Sequence, residues 1–124
     1  MSQKKILLVE DNEFNRKIVH DLLARHPYDL TEAYDGEAGV EAARREKPNL
    51  IIMDVQLPKM SGLDATRQIR AEPETSKIPI IVVTSFALSG DDRRAMDAGA
   101  SAYLAKPYSP RDLLALIRKL LPEN

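Results

Sequence analysis

The chain has 124 residues, of which 18 are basic and 19 acidic, so its net charge is −1. Such a balance excludes a strong electrostatic attraction to nucleic acid or to an anionic membrane, and we expect neither as a partner. The absence of cysteine excludes disulfides and thiolate metal sites. Because the sequence also has no apolar run of membrane-spanning length and no signal-peptide core, we expect a single cytoplasmic domain over residues 1–124.

Short apolar runs alternate with segments of helical periodicity along the chain. Most of these runs are continuously apolar and too short for a helix, which favours buried strands, whereas the second is weaker, with Leu30 and Ala33 its few apolar residues. The predicted strands are 6–9, 28–33, 50–53, 78–83 and 102–104. The first predicted helix covers about 12–25, and the others begin near Asp35-Gly36, Ser61-x-x-Asp64, Ser89-x-x-Asp92 and Ser109-Pro110, which are typical helix starts. Gly99 is expected to end the fourth helix.

Five strands alternating with five helices predict an α/β fold. The strands would form a parallel, doubly wound sheet with helices on both faces. We expect the strand order 2-1-3-4-5, in which the order reverses between strands one and three. Ligands bind such sheets beyond the carboxyl ends of the strands at that reversal.

Polar residues stand at the carboxyl end of four predicted strands. Glu10 and Asp11 follow strand one, Asp54 follows strand three, Thr84 follows strand four, and Lys106 lies just beyond strand five. Because the carboxyl ends of parallel strands share one edge of the sheet, this spacing predicts a single site.

Three carboxylates at close range repel one another, so this site calls for a cation. Oxygen ligands without histidine or cysteine favour a hard cation such as Mg²⁺. One Mg²⁺ together with Lys106 would balance the three acids. A site balanced in this way can receive a phosphoryl group, and a carboxylate can accept it covalently as an aspartyl phosphate.

The sequence resembles the receiver domain of two-component response regulators over nearly its whole length. Its Glu10-Asp11-Asn12-Glu13-x-Asn15 start and Phe86-Ala87 are similar to single-domain receivers and to those of hybrid kinases. The order and spacing of six segments carry the resemblance to the family. They are Val9-Glu10-Asp11-Asn12, Met53-Asp54-Val55-Gln56-Leu57-Pro58, Ser61-Gly62, Val83-Thr84-Ser85, Asp97-Ala98-Gly99-Ala100 and Lys106-Pro107. The fold implied is the flavodoxin-like, CheY-like version of the doubly wound sheet.

The resemblance implies a role for each residue of the site. Asp54 would accept the phosphoryl group. Asp11, Asp54 and the backbone carbonyl of Gln56 would bind Mg²⁺, and Glu10 would assist through water. Lys106 would contact the phosphoryl oxygens.

The resemblance also implies a conformational switch. Thr84 and Tyr103 would be the switch pair, and the Lys106–Pro107 peptide bond would be cis. Gln56 and Phe86 occupy two positions that are thought to tune the lifetime of the phosphate in this family.

The partners implied are a histidine kinase or a histidine phosphotransfer protein as donor, and a downstream protein as target. Because only three residues follow the last predicted helix, we expect no output domain and a signal sent through helix four, strand five and helix five. The protein would catalyse no reaction beyond its own phosphoryl transfer and dephosphorylation.

Ser101-Ala102 replace the acidic pair found in receivers that dimerise, so we expect a mostly monomeric protein. Phe14 would belong to core or rim packing, or to the family's docking surface for the donor's helices.

Three alternatives share the same fold. A flavodoxin-like cofactor binder needs a Gly-, Ser- or Thr-rich phosphate loop after strand one, where this chain has Glu10-Asp11-Asn12-Glu13. A Mg²⁺-dependent phosphatase would need a second acid where Gln56 stands. A degenerate receiver that works without phosphate would lack part of the set that is complete here: Asp11, Asp54, Thr84 and Lys106.

Overall fold

The structure, a computed structural model, describes residues 3–85 and 91–121. Strands and helices alternate throughout these residues, as predicted. In chain order they are β1 (Lys4–Val9), α1 (Glu13–Leu23), β2 (Tyr28–Ala33), α2 (Gly36–Glu46), β3 (Leu50–Asp54), α3 (Gly62–Ala71), β4 (Ile80–Thr84), α4 (Asp91–Ala98), β5 (Ala102–Ala105) and α5 (Pro110–Leu120). Within this part of the chain, no helix is long and apolar enough to cross a lipid bilayer.

The strands form one parallel sheet in the order β2-β1-β3-β4-β5, which confirms the predicted fold. Val9 at the end of β1 is in register with Ala33 of β2 and with Met53 of β3. On the other side of β3, Asp54 is in register with Val83. The carboxyl ends of β1, β3 and β4 therefore lie at the same edge of the sheet.

Two apolar layers cover the sheet, because successive side chains of a strand point to opposite faces. In β1, Leu7 and Val9 pack into the layer that includes residues of α2, α3 and α4. Ile6 and Leu8 pack into the other layer, which includes residues of α1 and α5. Burial on both faces accounts for the continuous aliphatic runs of β1, β3 and β4.

The helix starts follow the predicted capping residues. The side chains of Asp35, Ser61 and Ser109 each accept a hydrogen bond from the backbone N–H three residues later, at 2.7–3.2 Å. Gly99, which follows α4, has a φ of 113°, a conformation that glycine adopts without steric cost. The predicted cap Ser89 lies outside the described residues.

Several element boundaries differ from the prediction by one or two residues. Strand β1 begins two residues earlier than predicted, and β3 and β5 each end one residue later. Strand β4 begins at Ile80 rather than at residue 78, because Pro79 has no N–H to donate to a sheet and the N–H of Ile78 bonds to the carbonyl of Thr75 in a turn. Helix α1 begins after its N-cap Asn12 and ends at Leu23, two residues before the predicted end.

Candidate functional site

The carboxylates predicted to share a site do lie together at the edge of the sheet. Glu10 and Asp11 directly follow β1, and Asp54 is the last residue of β3. Each of the three can place one carboxylate oxygen within 4.8 Å of the others. Glu10 and Asp54 are only 4% exposed, whereas Asp11 is exposed. The cluster is therefore open to solvent on the Asp11 side.

Lys106 supplies the positive charge that this cluster needs. Its ammonium nitrogen lies 3.0 Å from Oε1 of Glu10 and 3.2 Å from Oδ2 of Asp54. The lysine follows the end of β5, and the peptide bond between Lys106 and Pro107 is cis, as the resemblance implied. One cation thus bridges the two buried acids, which limits the electrostatic cost of burying them together.

Burial and crowding alter the acidity of these groups. Burial, followed by the negative charge of Glu10 and a hydrogen bond with it, raises the pKa of Asp54 to about 7, although Lys106 acts in the opposite direction. Burial alone would lower the pKa of Lys106, but its hydrogen bonds and ion pairs with Glu10 and Asp54 raise it overall. Lys106 is therefore firmly protonated, and Asp54 is poised to respond to added positive charge.

Gln56 connects the loop after β3 to the end of β4. Its backbone N–H donates to Oδ1 of Asp54 at 3.3 Å, and its side-chain amide donates to the hydroxyl oxygen of Thr84 at 3.1 Å. Its side-chain oxygen accepts from the N–H of Ser85 at 3.4 Å. The fully buried Thr84 is thereby tied to the acidic cluster through one side chain.

Tyr103 lies in β5, the edge strand next to β4. It is in register with Val82 of β4, two positions before Thr84. Its half-buried side chain packs against the apolar layer that includes Val82 and residues of α2, α3 and α4. Its side chain therefore lies on the face of the sheet that α2, α3 and α4 cover.

The cleft over the acids also contains residues that the sequence analysis gave no role. It has a volume of about 270 Å³, and its lining includes Asn12, Asn15 and Ser85. The backbone N–H of Asn12 donates to Oε2 of Glu10 at 3.2 Å, while its side chain caps α1 by accepting from the N–H of Asn15. The signal in the sequence was asparagine's preference for N-cap positions.

An apolar cleft of about 380 Å³ adjoins the acidic one, and the two share Asn15, Ser85 and Lys106. Its apolar lining comprises Phe14, Ile18, Pro107 and Tyr108. The side chain of Phe14 is 71% exposed, which excludes the core and leaves the rim of this cleft among the placements predicted for it.

The donor set fits a hard divalent cation. The three acids offer oxygen ligands, as Mg²⁺ and other hard cations prefer. The cleft is open enough for the ion to keep part of its water shell. Phe86, the second position linked to phosphate lifetime, lies outside the described residues.

Comparison with known proteins agrees with this geometry. Residues 6–118 match the family model of the response regulator receiver domain. The chain is 38% identical over 118 residues to the polar-differentiation response regulator DivK of Brucella anthropi, which covers 95% of this chain and 96% of the relative. DivK of Brucella ovis matches at the same identity and coverage.

Solved structures show the same likeness. The receiver domain of the sensor histidine kinase PA1611 from Pseudomonas aeruginosa PAO1, crystallised with magnesium in its active site cleft, has a TM-score of 0.91 and 36% identity, and the match covers 98% of this chain and all (100%) of that one. The chemotaxis response regulator CheY4 of Vibrio cholerae has a TM-score of 0.90 and 27% identity, covering 97% of this chain and 100% of that one. The chain therefore belongs to the response regulator receiver domain family of two-component signalling.

Proposed function

We propose that this receiver accepts a phosphoryl group on Asp54 from a phosphohistidine, with Mg²⁺ bound beside it, and passes the signal on through protein contacts. The observation that carries the proposal is the position of Asp54. Its carboxylate ends β3 at the edge of the sheet, between the acids of β1 and the ammonium group of Lys106. Such an arrangement suits a carboxylate that must act as nucleophile toward a highly charged group.

The transfer exchanges one bond to phosphorus for another. A carboxylate oxygen of Asp54 bonds to the phosphorus as the bond between phosphorus and the donor's imidazole nitrogen breaks. The electron pair of the broken bond stays on the imidazole. The product is an acyl phosphate on Asp54 and an unmodified histidine on the donor. The chain acts as a switch on which this reaction takes place rather than as a conventional enzyme.

Four groups of this chain are suited to hold the metal. Asp11, Asp54 and the backbone carbonyl of Gln56 are proposed as direct ligands, and Glu10 as a ligand acting through water. When bound, Mg²⁺ neutralises charge that develops on the transferring phosphoryl oxygens. The exposed position of Asp11 leaves this side of the cluster accessible to an ion arriving from solvent.

Lys106 and Thr84 are proposed to hold the phosphoryl oxygens. The ammonium group of Lys106 already touches Asp54, so it can reach an oxygen added to that carboxylate. Thr84 ends β4 beside Asp54 and donates through a hydroxyl that can rotate. Both contacts gain strength once the phosphate is present, because a hydrogen bond to a charged acceptor is stronger than one to a neutral acceptor.

The apolar cleft beside the acids is proposed as the docking site for the donor. Helix α1 contributes Phe14 and Ile18 to its lining, and the segment between β5 and α5 contributes Pro107 and Tyr108. A helix of a histidine kinase or a phosphotransfer protein could seat its apolar residues there and bring its histidine to the acidic cleft. A large exposed aromatic at the rim of an open cleft is typical of a binding surface.

The surface formed by α4, β5 and α5 is proposed to transmit the signal to a downstream protein. Drawing Thr84 toward the phosphate would let Tyr103 move inward and shift α4, whose buried residues Ala95 and Ala98 are small anchors. We propose that the protein works in the cytoplasm as a mostly monomeric switch whose phosphorylated form binds a downstream protein more tightly.

Phosphorylation by a small acyl phosphate tests the proposal directly. The wild-type chain is incubated with acetyl phosphate, with Mg²⁺ or with a chelator, and its intact mass is measured. We expect one phosphoryl group to add in the presence of Mg²⁺ only, and Asp54→Asn to prevent the addition. Asp29→Asn, a change at the opposite end of the sheet, is the matched control and should label like the wild type.

A second arm uses a phosphorylated histidine phosphotransfer protein as donor. Transfer to the wild type but not to Asp54→Asn would support the full proposal. Normal labelling of Asp54→Asn, or labelling that does not depend on a divalent metal, would contradict it.

A further inference from the structure

Arg16 connects the residue after β1 to the residue after β2. It lies in the first turns of α1, and its Nη1 donates to the backbone carbonyl of Glu10 at 3.1 Å. Its guanidinium carbon lies 4.1 Å from the centre of the Tyr34 ring. The guanidinium is thus held between a carbonyl oxygen and an aromatic face, and both attract a cation.

These contacts form part of a closed ring. The N–H of Glu10 donates to the carbonyl of Ala33 at 3.0 Å. Tyr34 follows Ala33 directly and carries the ring on which Arg16 rests. The backbone of Glu10 is therefore held through its N–H by the end of β2 and through its carbonyl by α1.

This position matters because the chain leaves the sheet here. The registered pairs of β1 end at Val9, and beyond them the bond from the Glu10 N–H to Ala33 continues the pairing with β2 by one step. Glu10 and Asp11 come next, and their carboxylates lie within reach of Asp54. Mutual repulsion of three acids favours spreading them apart, and a backbone bond at Glu10 resists that spreading.

We propose that Arg16, braced against Tyr34, is a positioning residue for the acidic cluster. It holds the backbone of Glu10 so that the carboxylates of Glu10 and Asp11 face Asp54 in the arrangement that binds a divalent cation. The inference rests on the proposed function, since it concerns the same metal site, and it adds to that site two residues that do not touch the ion.

The charge of Arg16 makes this role separable from a general electrostatic effect. A guanidinium near a cation site repels the cation, so removing the positive charge alone should strengthen Mg²⁺ binding. Loss of positioning should weaken Mg²⁺ binding. The two explanations therefore predict opposite signs for one measurement.

The test is a Mg²⁺ titration of the full chain. Binding is measured from the shifts of the backbone amide signals in two-dimensional NMR spectra. We expect Arg16→Met to raise the Mg²⁺ dissociation constant by about threefold or more, the equivalent of losing one ordinary hydrogen bond. Arg16→Lys keeps the charge but not the planar donor, and should also bind more weakly than the wild type. Tyr34→Ala should weaken binding, whereas Tyr34→Phe, which keeps the aromatic face, should bind like the wild type.

Lys17→Met is the matched control. Lys17 is the next residue of the same helix, and it pairs with Asp21 rather than with the backbone of Glu10. Its removal subtracts the same charge and should leave the dissociation constant unchanged or slightly lower. A metal-free measurement accompanies the titration: hydrogen exchange of the Glu10 amide should be faster in Arg16→Met than in Lys17→Met.

An Arg16→Met variant that binds Mg²⁺ as tightly as the wild type, or more tightly, overturns the positioning role. Phosphorylation of the wild type on Asp54 would then still support the proposed function. If the wild type binds Mg²⁺ but takes up no phosphoryl group, the proposed function fails, and the comparison of dissociation constants still decides the role of Arg16.

Discussion

The side-chain amide of Gln56 donates a hydrogen bond of 3.1 Å to the hydroxyl oxygen of Thr84. This contact joins the loop that follows the proposed phosphoacceptor to the end of the neighbouring strand. A hydroxyl can accept and donate at once, so the Thr84 oxygen that accepts from Gln56 could also donate to a phosphoryl group formed on Asp54. The bond therefore connects Gln56 directly to a residue on which the proposed switch depends.

Replacing Thr84 by alanine should separate phosphorylation from its structural consequence. Phosphoryl transfer to Asp54 should continue, but the amide signals of α4 should no longer shift when the phosphate or a stable mimic such as beryllium fluoride is added. Thr84→Ser keeps the hydroxyl and is the control that should still respond. A full response of α4 in Thr84→Ala would rule out this route for the signal.

Removing Lys106 should destabilise the protein most when no metal is present. In Lys106→Met, Glu10 and Asp54 lose the cation that lies 3.0 and 3.2 Å from them. We expect the free energy of unfolding to fall by about 2–3 kcal/mol in chelator, as when buried charges lose a partner. Mg²⁺ should restore stability in the variant more than in the wild type, because the ion then neutralises acids that Lys106 already neutralises in the wild type.

Urea unfolding with and without Mg²⁺ measures both effects. Lys59→Met is the control, because Lys59 is exposed and lies 3.8 Å from its partner Asp35, and its loss should change stability by no more than about 0.5 kcal/mol. Equal unfolding free energies for Lys106→Met and the wild type in chelator would show that the bridge to the acids contributes no stability.

A methyl group at Gly62 should disturb the site as well as the fold. A Cβ there would collide with the carbonyl oxygen of Asp54, which belongs to the backbone and cannot rotate away as a side chain can. We expect Gly62→Ala to cost about 1–3 kcal/mol and to slow labelling of Asp54. Gly39→Ala is a useful comparison, because its Cβ would meet only the side chain of Val9, at 2.8 Å. Thermal unfolding and phosphorylation rates are measured on both, and a well-labelled Gly62→Ala would contradict the prediction.

The proposed output mode predicts a protein that stays mostly monomeric after phosphorylation. Ser101 precedes β5 where dimerising receivers carry acidic residues, and its hydroxyl instead contacts Arg70 and the N–H of Ile80. Sedimentation velocity with and without beryllium fluoride should give the same monomer coefficient over a range of concentrations. A tight symmetric dimer that forms only with the phosphoryl mimic would refute this part of the proposal.

Local patterns in the sequence were sufficient for the elements and for the edge of the sheet that carries the site. Aliphatic runs predicted the strands, and Ser61, Ser109 and Gly99 marked helix ends, because caps and buried strands depend on residues close in the sequence. The alternation of strands and helices then placed Glu10, Asp11 and Asp54 at one edge, since parallel strands end on the same side. The turn before β4 was missed because the prediction did not weigh the missing N–H of Pro79.

The contacts that give the site its character were decided by the tertiary structure. Lys106 reaches Glu10 across 96 positions of sequence, and Gln56 reaches Thr84 across 28. The guanidinium of Arg16 contacts the ring of Tyr34 because α1 packs beside β2. Each contact depends on strand register, helix position and side-chain rotamer at once, so composition and local spacing predict which groups meet at the edge of the sheet, while only the folded chain determines which atoms touch.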